Sequence, residues 1–343
     1  MRKIRKKREK QKKKIIIISV FLFLIIMTSG YAAFSTNITF HAKGNIIEGP
    51  RVIQAWDQNS QTDFHSDYYK ENIVSVTFLD NNNVPDSAVE SWNVSEDKEN
   101  GEVMAWVVPS AQDISKYDLY IGAKNGVIAN ENSSFIFRYF TEIISVNFNN
   151  NFDTSDVTNM RSMFSECHNL AHLNLNGINT SQTTDMSYMF YHNYNLLEVD
   201  LSNFNTSNVT NMEYMFYSCR KLITIDLTSF DTSNVVSMKA MFSMWDESTS
   251  SAGETLLDSI LFGEKFNTQK VTNMESMFYG CYELSSLNLC SFNTTNTTNM
   301  TNMFRGTSNL KNIYVSANWN TSNADTIDMF YSSGVSSVTT GQC

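Results

Sequence analysis

One short unit, Met-x-x-Met-Phe, recurs down the C-terminal two thirds of this chain and constrains its fold more than any other feature. It stands at Met160/Met163/Phe164, Met186/Met189/Phe190, Met212/Met215/Phe216 and Met238/Met241/Phe242. It returns at Met274/Met277/Phe278 and Met300/Met303/Phe304, with a shortened copy at Met329/Phe330. The steps between first methionines are 26, 26, 26, 36 and 26 residues. A fixed period of this length marks a repeat architecture, in which each unit buries its apolar face only by stacking on its neighbours.

Residues 204–227 show one coil. Met212, Met215 and Phe216 lie at i, i+3 and i+4, which predicts one face of a two-turn helix. Thr210 with Glu213, and Thr272 with Glu275, have the spacing of a capping box at its start. Leu222, Ile225 and Leu227 follow, and the alternation at the end of that group predicts a short half-buried strand. The group recurs as Leu170/Leu173/Leu175, Leu196/Val199/Leu201, Leu284/Leu287/Leu289 and Leu310/Ile313/Val315. Phe137, Phe140, Ile143, Val146 and Phe148 repeat the phases of Phe164, Cys167, Leu170, Leu173 and Leu175, so the array starts near Asn132. The expected fold is an α/β repeat solenoid, leucine-rich-repeat-like, with a short strand and a short helix per coil of about 26 residues. Residues 133–343 hold about eight such coils. Strands stack about 4.8 Å apart and helices about 8–10 Å, so such a coil would curve with its strands on the concave side.

The charge is unevenly placed. Residues 1–14 hold 10 of the 25 Lys+Arg and one of the 35 Asp+Glu, which leaves 15 bases against 34 acids in the rest. An acidic body excludes nucleic acid as a partner, since phosphate recognition needs a cationic surface. The basic run is followed by the apolar stretch from Ile15 to Met27 and then by the small residues of Thr28–Ala33. That order is an export signal. Two outcomes are open: cleavage after Ala32, which releases the body, or retention of residues 15–34 as a membrane anchor long enough to span a bilayer. In both, the positive end stays inside and the body is placed outside.

Between signal and repeats, residues 35–69 read as an extended lead-in. Residues 70–132 read as a small antiparallel β element that caps the first coil. Ile73–Phe78 alternates as a strand. Trp92–Ser95 and Val103–Val108 flank a polar loop, and Leu119–Ala123 and Val127–Ala129 flank Lys124-Asn125-Gly126, giving two hairpin signals.

The pattern N-T-S-x-V-T-N-M-x-x-M-F-x-x-C-x-x-L-x-x-L-x-L over roughly 133–340 resembles the 26-residue bacterial surface protein repeat of BspA-like leucine-rich repeat surface proteins. Residues 70–130 look like the segment that precedes such repeats. The resemblance implies an exported surface protein that adheres to host or neighbouring-cell molecules. The chain departs from the pattern in showing no C-terminal sorting signal or second apolar span, which leaves the N-terminus as the anchor in view.

Chemistry-bearing constellations are few. Thioethers bind Cu(I), yet 13 of the 17 Met sit at repeat phases beside Phe, where core packing accounts for them. Cys167, Cys219 and Cys281 share one phase two coils apart, too far for disulfides, and read as buried thiols. Cys290 and Cys343 meet only if the tail folds back. His168, His172 and Cys167 mimic a ligand set, but their phases point them to different sides. No Ser/His/Asp or Cys/His set, phosphate loop or H-E-x-x-H motif occurs, so no catalysis, metal or cofactor is expected. Two surfaces are candidates for binding an extracellular protein or glycan. One is the outward strand face, with Glu198, Asp200, Asp226, Asn288 and Tyr314. The other is the ten-residue insertion around 243–256, with Trp245 and Asp246, since insertions in regular arrays map to loops on one face. The function expected is non-enzymatic binding at the cell surface; the alternative is a structural spacer without a specific ligand.

Overall fold

The computed structural model describes residues 39–40, 46–47, 51–99, 101–245, 254–341 and 343. The chain divides into residues 1–50 and 51–343. In the first unit β1 (Thr39–Phe40) pairs antiparallel with β2 (Ile46–Ile47). The export signal, with its cleavage candidate Ala32, lies outside the described residues. Among those residues no helix is long and apolar enough to cross a membrane, and the span expected over residues 15–34 lies outside them.

In the second unit a 3-10 turn at Asp63–His65 and α1 (Asp67–Lys70) precede a five-stranded sheet. Its strands are β3 (Ile73–Leu79), β4 (Glu90–Asn93), β5 (Met104–Pro109), β6 (Tyr117–Gly122) and β8 (Ser145–Asn147), in the order β4-β5-β6-β3-β8. The leader is therefore a mixed sheet and not the antiparallel element expected. Strands β4, β5 and β6 pair antiparallel, but β3 lies parallel to β6 on one side and to β8 on the other. The second hairpin also fails to form. Asn125 and Gly126 turn the chain at positive φ, yet β7 (Val127–Ile128) pairs parallel with β9 (Phe152–Asp153) and not with β6. The reason for both is the first coil: β8 and β9 come from it, and the leader closes its open edge. Phe78 packs against Phe137, Phe148 and Phe152 at ring distances of 6.2, 5.6 and 4.4 Å. Buried His65 faces the Ile136 carbonyl through Nε2 at 2.8 Å, in the place where a preceding coil would offer its amide.

The coils themselves correct the expected α/β leucine-rich-repeat architecture. Apart from the 3-10 turn and four-residue α1, the described residues hold no helix. The Met-x-x-Met-Phe unit is a run of turns in which successive amides point two ways. In coil 204–227, Met215, Tyr217 and Cys219 donate within the coil to the carbonyls of Met212, Tyr214 and Phe216 at 3.4, 3.2 and 3.2 Å. Met212, Tyr214, Phe216 and Ser218 donate to the next coil, to Ser237, Lys239, Met241 and Ser243 at 3.1, 2.8, 2.9 and 2.8 Å. A helix would use all of these amides internally and leave no lateral donors.

The same correction applies to the second methionine of all the other units, including Met241, whose amide donates to the Met238 carbonyl at 3.2 Å and whose carbonyl accepts the Phe216 amide at 2.9 Å. Met163, Met189, Met277 and Met303 keep their expected place in the core, but none of them lies on a helix face. Each closes a tight turn, its amide donating to the carbonyl of Met160, Met186, Met274 or Met300 at 3.2, 3.3, 3.2 and 3.1 Å. Their own carbonyls face the preceding coil. Those of Met163, Met189, Met277 and Met303 accept the amides of Phe137, Phe164, Phe242 and Phe278 at 3.0, 3.0, 3.0 and 2.9 Å. In a helix each carbonyl would instead bond four residues ahead in its own coil.

The alternation requires left-handed backbone at every fourth residue. Tyr214 and Ser218 have φ of 57° and 55°. The same phases hold Ser162, Tyr188, Ala240, Ser276, Asn302 and Asp328, and Glu166, His192, Gly280, Gly306 and Ser332. Only a Gly pays no Cβ penalty there.

This ladder sets the spacing. Phe137, Phe164, Phe190, Phe216, Phe242, Phe278, Phe304 and Phe330 form one stacked column with ring distances of 5.4 to 6.1 Å. That is strand-like, well below the distance between packed helices. The mismatch that was to impose a concave face is therefore absent. All eighteen repeat residues from Met160 to Phe304 are fully buried. The expected capping boxes are replaced as well. Thr210 Oγ1 donates to the Thr184 carbonyl at 3.1 Å, while Asn211 Oδ1 accepts the Glu213 amide at 3.1 Å in an Asx turn.

The opposite side of each coil carries the short strands β10 (His172–Leu173), β11 (Glu198–Val199), β12 (Thr224–Leu227), β13 (Ser259–Phe262), β14 (Ser286–Leu289) and β15 (Asn312–Val315). They pair parallel as β10-β11, β12-β13 and β14-β15, with β16 (Thr339–Thr340) added to β15. A Cys290–Cys343 disulfide holds the tail back against the stack.

A second ladder explains the Thr at the opening of each coil. Thr154, Thr180, Thr206, Thr232, Thr268 and Thr294 are buried. Thr206 Oγ1 donates to the Asp231 carbonyl at 2.9 Å and accepts the Asp231 amide at 2.9 Å. The same reciprocal pair joins Thr180 to Asn205 and Thr268 to Asn293. Thr206→Val keeps the shape but strands both buried backbone groups, so it is expected to cost about 1–3 kcal/mol, measured by urea unfolding.

Candidate functional site

The outward strand face follows from the alternation of each strand. In β12, Ile225 and Leu227 point in while Thr224 and Asp226 are exposed. Glu198, Asp200, Asp226 and Asn288 are exposed, and Tyr314 is half-buried. Three of these side chains already have a structural task. Asp200 Oδ1 accepts the Ser202 amide at 2.9 Å, Asp226 Oδ1 accepts the Thr228 amide at 2.9 Å, and Asn288 Oδ1 accepts the Cys290 amide at 3.1 Å. Each is an Asx turn that ends its strand. The hydrogen bonds from Ser202 hold the Asp200 carboxyl below the usual carboxylate range. Glu198 pairs with His172 Nδ1 at 3.0 Å across β10 and β11. His172, Asn174, Asn176, Glu198 and Asp200 line a cleft of about 400 Å³.

Within the insertion the structure describes residues up to Trp245 and again from Glu254. Met244 stays fully buried and its amide still donates to the Tyr279 carbonyl at 2.8 Å. The Trp245 ring stacks on Tyr279 at 4.8 Å and 9°, on the outer side of the turns. Asp246 lies outside the described residues, so Trp245 and Asp246 are not placed together as one site.

The thiols Cys167, Cys219 and Cys281 are fully buried, and their Sγ–H groups donate to Phe137, Phe190 and Phe242 carbonyls at 3.2, 3.0 and 3.1 Å. Burial pushes all three well above the ordinary thiol range. They are inert packing residues. His168 and His172 do not converge with Cys167. His168 Nε2 pairs instead with Glu166 at 2.8 Å, and the other Glu166 oxygen pairs with His192 Nδ1 at 3.1 Å. His192 stacks on Tyr191 at 3.8 Å. Glu166 and His192 were not selected from the sequence; their separation of 26 residues was the available signal. Among the described residues no three His, Cys, Asp or Glu side chains are grouped to hold a metal ion.

The geometry defines a class: parallel, tightly spaced coils of a 26-residue repeat, joined by amide and threonine ladders and closed at one edge by a mixed sheet. The chain belongs to the family described as Mycoplasma protein of unknown function, DUF285, whose model matches residues 131–255 and 250–338. No curated protein and no solved structure matches the chain.

Glu166 gives a pH signature. Burial alone would raise its carboxyl, but hydrogen bonds from His168 and His192, with their charge, bring it down to about 2. Its stabilising contribution is thus complete above the ordinary value near 4.5 and is lost as pH falls from there toward 2. Glu166→Gln is expected to lose less stability than the parent chain over that window, measured by urea unfolding at stepped pH.

Proposed function

We propose that this is an exported, non-catalytic surface protein that binds macromolecules of a host or neighbouring cell through its repeat stack. The observation that carries this reading is the division of labour within each coil. Met, Phe, Leu and Thr phases are consumed by packing and ladders, which leaves the outward positions of a regular frame available for a partner. Repeat stacks of this kind recognise partners through such positions. The N-terminal order of basic, apolar and small residues supports export, and so does the Cys290–Cys343 disulfide, since disulfides persist in oxidising compartments. The resemblance of the repeat to BspA-like surface proteins supports adhesion. Partners are extracellular proteins or glycans, and the acidic body argues against nucleic acid.

A second reading, a spacer without a specific ligand, is favoured by one observation. Asp200, Asp226 and Asn288 are occupied in turns of their own coils. Glu198 and Tyr314 are free of that task and therefore discriminate. The chain should retain components of a cell-surface extract in a pull-down, and Glu198→Lys with Tyr314→Ala should reduce the retained material severalfold without altering the unfolding midpoint. Retention of nothing by the parent chain would leave the spacer reading.

A further inference from the structure

We propose that the cleft where the leader meets the first coil is a binding site for a neutral carbohydrate. This deepens the binding reading above and rests on it. The cleft measures about 370 Å³ and is lined by Gln58, Gln61, Asp67, Lys70, Glu71 and Tyr139, together with Thr141. It combines residues more than 60 positions apart, brought together because the leader covers the first coil.

Four observations point to the ligand class. The first is the mix of groups. Sugar hydroxyls donate and accept at once, and carboxamides, carboxylates, an ammonium and a hydroxyl around one aromatic ring answer both needs. Gln61 Nε2 is spent on Asp67 Oδ1 at 3.0 Å, and Gln58 Oε1 on Arg138 Nη1 at 3.3 Å. The opposite ends of both amides, Gln58 Nε2 and Gln61 Oε1, have no partner among the described residues.

The second is charge balance. Asp67 and Glu71 are offset by Lys70 and by Arg138, whose guanidinium lies 4.5 Å over the Tyr139 ring. No net field selects an ion. The third is preorganisation. Lys70 is only 6% exposed, and its ammonium is fixed 3.1 Å from Asp67 Oδ1 and 5.8 Å from the centre of the Tyr139 ring. The Gln61 and Lys70 hydrogen bonds also hold the Asp67 carboxyl below its ordinary range.

The fourth observation is Tyr139 itself. Its φ is 67°, a backbone region that disfavours side chains. Later coils place Glu166, His192, Ser218, Gly280, Gly306 and Ser332 at this phase. Here a large ring sits in the strained position, 39% exposed, at the wall of a polar cleft. The left-handed backbone is the one that the ladder imposes on every coil; what is particular to Tyr139 is the place of its ring, and an aromatic ring with a polar end suits a sugar ring edged by hydroxyls.

The test is titration of the full chain with lactose, cellobiose and chitobiose, followed by saturation-transfer NMR, with sialyllactose as the charged control. At least one neutral disaccharide should saturate, and no better binding should come from the charged one. Tyr139→Gly removes the ring and relieves the backbone, so it should fold at least as stably while weakening binding about tenfold or more. Gln61→Ala should weaken it too. Absence of saturation by every neutral sugar up to about 10 mM, a range that covers weak sites, would overturn the proposal. So would equal affinity in Tyr139→Gly. A chain that holds surface proteins from the extract yet fails these titrations loses the sugar site and keeps the broader binding reading.

Discussion

The structure depends on how the turn amides are shared. In each Met-x-x-Met-Phe unit every second N–H closes a turn and the next one crosses to the following coil. That single choice fixes the coil spacing near that of strands on both sides of the stack. It forces the left-handed residues and excludes helix from the repeat. It also makes each coil dependent on its neighbours, because a lone coil would leave half of its turn amides without acceptors. The threonine ladder does the same at the other corner, with one buried hydroxyl serving as donor and acceptor between coils.

Edges follow from the same constraint. The first coil has carbonyls that no preceding coil can satisfy. The leader meets this with β3 alongside β8, β7 alongside β9, and the His65 ring against the Ile136 carbonyl. The demand of that edge explains why a segment that reads as two hairpins becomes a mixed sheet.

Much of this is legible in the sequence, and the remainder has a physical reason for being hidden. The 26-residue register places the Met and Phe of each Met-x-x-Met-Phe unit in the core, and phase alone assigns Cys167, Cys219 and Cys281 to the interior. The helix expectation fails at Met163, Met189, Met241, Met277 and Met303 as it does at Met215, because spacing at i, i+3 and i+4 is shared by a helix and by turns that reverse handedness every fourth residue. Gly280 and Gly306 are the discriminating signal: a helix interior disfavours glycine, and a left-handed position favours it. The Asn or Asp before five of the six first Met residues is another, since it forms an Asx turn where the spacing of Thr210 and Glu213 suggests a cap. On the outward face, strand alternation finds Glu198 and Asp226, but the turn duties of Asp200, Asp226 and Asn288 appear only once the chain is folded. The pair of Glu166 with His192 and the cleft at Tyr139 depend on coil stacking and on the leader, which local patterns do not encode.

The most direct test of the ladder is Gly306→Ala. Gly306 has φ of 73°, and an added Cβ would meet nothing closer than Tyr282 Cε1 at 3.5 Å, so space is not limiting and only backbone conformation is at stake. The alternating turn predicts a loss of about 1–2 kcal/mol in equilibrium urea unfolding. If this segment were helical, the same substitution would stabilise the chain by about 1 kcal/mol. A measured gain would contradict the account.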